Sequence, residues 1–210
     1  MVFSEEDIAT ARKVLDTNFH SHKTTEERFY DLCLCLLVPQ ERFTRCSKIV
    51  EDLKRFDFYG CDRFGPFSRV RARAIVECGG LRFGKRKVDY LLKAWDNFEV
   101  IDAIVSLALG SKDCLTDREK RDWLVENVPG MGMKVASHFL RNIGARDLAI
   151  IDLHILKYIN NGESLRGKKH YLELEEKMQA EAMKLGLTNA ELDVLVWQKY
   201  SKTPWSEYIY

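Results

Sequence analysis

The stretch Asn127-Val128-Pro129-Gly130-Met131-Gly132-Met133-Lys134-Val135-Ala136 puts a proline and two glycines between two helical repeats. Before it, Trp123, Leu124 and Val128 recur at helical spacing; after it, Val135, Ala136, Phe139, Leu140 and Ile143 do the same. The pattern predicts a helix-hairpin-helix over about residues 116 to 143. A further apolar run then leads to Ile151-Asp152-Leu153-His154.

Gly130 and Gly132 are expected to take positive φ and leave their amides uncovered, so that a phosphate can approach the start of the second hairpin helix. On that helix Lys134, Ser137, His138 and Arg141 follow at i, i+3, i+4 and i+7, forming a polar stripe beside the hairpin. The stripe marks where a DNA backbone would lie, with Gly130, Gly132, His138 and Arg141 as the phosphate contacts.

Hairpin, lysine and later aspartate together resemble the helix-hairpin-helix, Gly/Pro-rich loop, aspartate superfamily of DNA glycosylases. Within it, the run from Val128 to Gly144 and the run Asp147-Leu148-Ala149-Ile150-Ile151-Asp152-Leu153-His154-Ile155-Leu156 resemble the archaeal-type, second class of 8-oxoguanine DNA glycosylase/AP lyase. The match is close over residues 116 to 160 and looser over most of the chain. A Pro-Gly-x-Gly turn alone occurs in many DNA-binding proteins. The turn with Lys134 and with Asp152 a further 18 positions on is far more specific.

The resemblance implies an all-α protein with two helical lobes facing each other across a DNA-binding cleft. One lobe is built from the middle of the chain, about residues 38 to 128, and the other from both ends, the 210 residues acting as a single glycosylase unit. It implies double-stranded DNA containing oxidised guanine or an abasic site as the partner, and action as a monomer. Lys134 is then the nucleophile. Only a neutral amine attacks carbon, and a helix dipole and a water-excluding substrate both disfavour the ammonium form. Attack at C1′ of the deoxyribose expels the base and leaves a Schiff base, whose β-elimination nicks the strand. Asp152 matches the family's aspartate; as a helix N-cap its carboxylate would also be at hand to stabilise charge on the sugar or assist proton transfer. Two readings compete: a monofunctional or differently selective glycosylase that attacks with water, and a non-catalytic module that uses the hairpin only to grip phosphates.

An enzyme acting on a stacked base must extrude it and fill the gap. Asp193 and Trp197, at i and i+4 on one helix face, are candidates for the base pocket, the indole as a π surface and the carboxylate as an acceptor for base N–H groups. Gln40 matches the family position for the amide that fills the void. Members of the class tend to end soon after the tryptophan-bearing helix with a lysine that helps read the base. Here the chain continues to Tyr210, and Trp205 or Tyr210 would either line the pocket or pack on the core.

Composition sets the remaining bounds. A hydrophobic content of 46% suffices for a sizeable core, and a net charge of +1 carries no signature of a nucleic-acid partner. Charge is instead segregated: the windows Arg69 to Arg73 and Arg82 to Lys87 are basic and candidates to face DNA, while Glu173-Leu174-Glu175-Glu176 is acidic and reads as a solvated face. The six cysteines offer no CxxC pair and no iron–sulfur spacing, and Cys33 and Cys35 read as buried thiols. The five histidines make no zinc-like set, so no metal ligand is assigned and no cofactor is required, although carbonyls near Val128 and Met131 are placed to hold a monovalent or divalent cation. With no leader and no apolar run near the ~20 residues of a membrane span, the expectation is an intracellular, DNA-associated protein of cytoplasm or nucleoid.

Helix starts are legible from their caps. Ser4, Thr24, Thr116 and Thr188 each precede an acidic residue three positions on, Asp152 precedes an apolar run, and Pro39 and Pro66 stand where a first turn begins. About ten helices are expected.

Overall fold

A computed structural model describes residues 3–106 and 115–201. The aromatic residues Trp205 and Tyr210 lie outside the described residues. Eleven helices and no strand occur among the described residues, and no helix there is long and apolar enough to cross a membrane.

The caps do their expected work. Ser4, Thr24 and Thr116 form reciprocal capping boxes with Asp7, Glu27 and Glu119 at the starts of α1 (Glu5–Asn18), α2 (Thr25–Leu37) and α7 (Asp117–Asn127). Pro66 opens α4 (Pro66–Cys78) at its first turn. Thr188 and Glu191 exchange the same pair of bonds at the start of α11 (Asn189–Ser201). Pro39 is different: it opens no helix. Val38-Pro39-Gln40-Glu41 closes as a turn, the Glu41 amide donating to the Val38 carbonyl at 2.9 Å, and α3 (Phe43–Arg55) begins beyond it. Gln40 has φ +62°, the third place of such a turn.

The chain divides into two compact units, one formed by Lys23–Phe139 and the other by Met1–His22 with Leu140–Tyr210. The first is organised around α2, in which every residue from Phe29 to Leu37 is buried. Such all-round burial marks a central helix. It packs on α3, on α5 (Gly84–Asp96) and on α6 (Phe98–Ser106). Phe29 meets Phe98 edge-on at 4.9 Å, and Phe58 joins it to Trp95. Cys33 and Cys35 are among these buried side chains. Because α2 belongs to this core, the unit starts well before residue 38. Its other end lies inside α8 (Met133–Asn142), the second helix of the hairpin.

In the second unit, α11 packs on α1, on α9 (Leu153–Ile159) and on α10 (Gly167–Lys184). Leu148–Ile151, between α8 and α9, is buried yet neither helix nor strand. Side chains of α10 satisfy its backbone: the Tyr171 hydroxyl donates to the Ala149 carbonyl at 2.7 Å and accepts from the Ile151 amide, and Glu175 accepts from the Ala149 amide at 3.1 Å. Glu175 is therefore buried, against its reading as part of a solvated acidic face.

The hairpin turn needs only one of its glycines. Gly130 has φ +92°, and a Cβ there would be driven into the ring of Tyr90. Gly132 is not left-handed and has open space on the side a Cβ would take. Gly130→Ala is therefore expected to cost about 1–3 kcal/mol in urea unfolding, from strain and overpacking, and Gly132→Ala less than about 1 kcal/mol. Equal losses at both positions would contradict this account of the turn.

Candidate active site

The hairpin delivers Lys134 to the first turn of α8. The Gly132 carbonyl accepts the Ala136 amide at 3.0 Å, making Gly132 the helix cap, so the amides of Met133, Lys134 and Val135 lie in the turn that has no intrahelical acceptors. Lys134 is exposed, His138 is half-buried one turn on, and Ser137 is fully buried. The Val128 carbonyl accepts the Met131 amide at 3.1 Å within the turn, and a carbonyl oxygen carries a second lone pair.

Arg141 ends this stripe with a different environment from the one its spacing suggested. Its guanidinium is buried, lies 4.2 Å from the ring centroid of Phe19 and approaches the Asp193 carboxylate at 3.8 Å. A guanidinium so engaged is not a phosphate-facing group. It is instead the counter-charge of Asp193, itself only 7% exposed, and desolvated carboxylates need such a partner.

Asp152 stands at the end of the buried Leu148–Ile151 segment as the N-cap of α9. Its Oδ1 accepts the amides of His154 at 2.8 Å and Ile155 at 2.9 Å, leaving Oδ2 outside the cap. One carboxylate thus orders a helix and keeps an oxygen for other work. In the first turn of α9 that Asp152 caps, the His154 ring meets the half-buried Trp197 edge-on at 6.4 Å and stacks on Tyr200 at 6.2 Å. Asp193 and Trp197 project one turn apart from α11.

Gln40 is exposed at the tip of its turn, in a left-handed conformation that glycine or asparagine takes more readily. The turn Leu81-Arg82-Phe83-Gly84 repeats the device: the Gly84 amide donates to the Leu81 carbonyl at 3.2 Å, and Phe83, at φ +59°, is 58% exposed. An exposed aromatic in that conformation is a genuine outlier. Sequence reading saw Phe83 only inside a basic window. Within that window Arg82, Lys85 and Arg86 are exposed, whereas Lys87 is buried. The other window is largely committed inside its unit, Arg69 to Asp96, Arg73 to Glu77 and Asp89, and Arg71 over the Phe56 ring.

With this geometry established, likeness to known proteins can be stated. The sequence profile of the family described as 8-oxoguanine DNA glycosylase matches residues 11–187. An 8-oxoguanine DNA glycosylase/AP lyase of Metallosphaera sedula is 33% identical over 190 residues, covering 88% of this chain and 87% of the relative. That of Methanocaldococcus jannaschii is 28% identical over 192 residues, covering 89% and 86%. The crystal structure of the Methanocaldococcus jannaschii 8-oxoguanine glycosylase/lyase in complex with a 15mer DNA containing 8-oxoguanine superposes with a TM-score of 0.78, at 26% identity over 95% of this chain and 93% of that one.

The capping role of Asp152 can be isolated by substitution. Asp152→Ala removes the cap and is expected to cost about 0.5–2 kcal/mol in thermal or urea unfolding, whereas Asp152→Asn keeps an accepting oxygen and should stay within about 0.5 kcal/mol of the native protein. An Asn variant as unstable as the Ala variant would show that charge, not the cap, holds the start of α9.

Proposed function

Because the chain belongs to the 8-oxoguanine DNA glycosylase family, we propose that it excises 8-oxoguanine from duplex DNA with Lys134 as nucleophile and then nicks the resulting abasic site. The proposal rests on two helix starts, each within its own unit: an exposed lysine on the first turn of α8, and an aspartate whose Oδ1 caps α9 and whose Oδ2 lies outside the cap. A grip on phosphates alone needs the first turn of α8 but neither the lysine nor the free oxygen.

The neutral amine of Lys134 attacks C1′, the C1′–N9 bond breaks with its electron pair on the departing base, and the base takes up a proton as the amine loses one. Asp152 favours the positive charge that develops on the sugar. Opening of the ring leaves a protonated Schiff base; loss of a C2′ proton then expels the 3′ phosphate. All the groups for this sequence are side chains, and no redox step occurs. The hairpin amides at Gly130 and Gly132, with His138, hold phosphate, and a monovalent or divalent cation on the free lone pair of the Val128 carbonyl would add to that grip. Asp193, with Arg141 as its counter-charge, accepts from the N–H edge of an extruded purine against the Trp197 ring, and Gln40 fills the gap in the helix. In this reading the protein acts as a monomer.

Borohydride trapping on an 8-oxoguanine duplex and on a duplex with a bare abasic site tests the reading. The native protein is expected to give a covalent adduct with both, and Lys134→Gln to lose at least a hundredfold of each while still binding DNA. An adduct only at the abasic site would remove the base specificity. Base release with no adduct would assign the attack to water, and bound DNA left unchanged would reduce the hairpin to a grip.

A further inference from the structure

Two of the protein's left-handed non-glycine residues, Gln40 and Phe83, occupy the third places of two turns far apart in sequence. A buried ion pair ties these turns together. Lys87, one helical turn beyond Phe83 on α5, is only 5% exposed and donates to the Leu37 carbonyl at 2.7 Å and the Pro39 carbonyl at 2.8 Å. The first is an open carbonyl at the end of α2, the second lies inside the Gln40 turn. Glu41, the last residue of that turn, lies 3.7 Å from the Lys87 ammonium, and its Oε1 accepts the backbone amide of Arg82 at the second place of the Phe83 turn. The carboxylate side chain is 3% exposed, and Arg45 approaches its other oxygen at 3.5 Å.

We propose that Lys87 and Glu41 are positioning residues that clasp the Gln40 and Phe83 turns into one rigid edge, so that the amide and the aromatic ring enter a duplex together. The inference rests on the reading of the protein as one that extrudes a base. Neither residue touches the reacting atoms.

Three physical points support it. Two strained tips are each held in a sparsely populated conformation, which persists only where surroundings over-determine it. The groups doing so are charged and nearly dry, a costly arrangement that an apolar filler would replace if packing alone were required. Burial pushes the Lys87 amine below the usual lysine range, and Glu41 opposes that shift. The clasp also joins three elements at their ends, α2, the Gln40 turn and α5, where a helix core alone would leave the tips free to splay.

The test uses a duplex carrying 2-aminopurine beside the lesion, bound to saturation as followed by anisotropy, so that fluorescence reads unstacking independently of chemistry. The native protein is expected to raise the fluorescence several-fold. Lys87→Met with Glu41→Gln, which removes both charges and leaves neither buried alone, should give less than a third of that rise at saturation. Lys87→Arg, which keeps donors for the two carbonyls, should recover at least half. Glu41→Ala, which frees the Arg82 amide and takes the carboxylate from Lys87 and Arg45, should also lose signal. A native-size rise in the double variant would overturn the proposal. So would a signal lost only together with cooperative melting in both the double variant and Glu41→Ala, since that would assign the pair to the core. If the native protein unstacks the duplex without releasing 8-oxoguanine, the excision reading fails and the clasp stands.

Discussion

A buried peptide that is neither helix nor strand must find its hydrogen bonds on side chains, and Leu148–Ile151 finds them on Tyr171 and Glu175 of α10. That constraint fixes where α9 begins, and so where Asp152 stands. It also gives the buried Glu175 a role, since its carboxylate accepts the Ala149 amide. Around this segment α9, α10 and α11 are brought together, and α11 carries Asp193 and Trp197.

Helix beginnings are the recurring chemical device. Open amides at the start of α8 favour anions, while the α9 start is closed by one oxygen of a carboxylate that keeps its other oxygen outward. The two helix starts thus present opposite polarities. The sequence supplies them with two turns, one built on Gly130 where Tyr90 leaves no room for a Cβ, and one on Asp152. Arg141 shows the same economy in reverse: a basic residue at the end of the polar stripe of α8 is turned inward over Phe19, beside Asp193.

Much of this was legible because it is local. Capping boxes depend on residues three apart, and the starts at Ser4, Thr24, Thr116 and Thr188 follow from them directly. The hairpin and the Asp152 cap follow from turn chemistry for the same reason. What depended on partners distant in the chain did not show. Pro39 reads as a helix start until its turn is seen to close on Val38, and Gly132 looks as special as Gly130 until Tyr90 is placed. Arg141 has the spacing of a surface residue, and only the return of the chain at Asp193 buries it. Glu175 had a signal that was passed over, since Tyr171, Leu174 and Met178 on the same helix are all buried with it. Phe83 lay hidden in a basic window because a left-handed φ has no marker when the residue is not glycine.

The claim on which the account turns is covalent attachment at one side chain. Peptide mapping by mass spectrometry of the borohydride-reduced complex with an 8-oxoguanine duplex would locate it. The account predicts a deoxyribose remnant on the peptide containing Lys134 and on no other. A remnant on the N-terminal amine or on another lysine would contradict it.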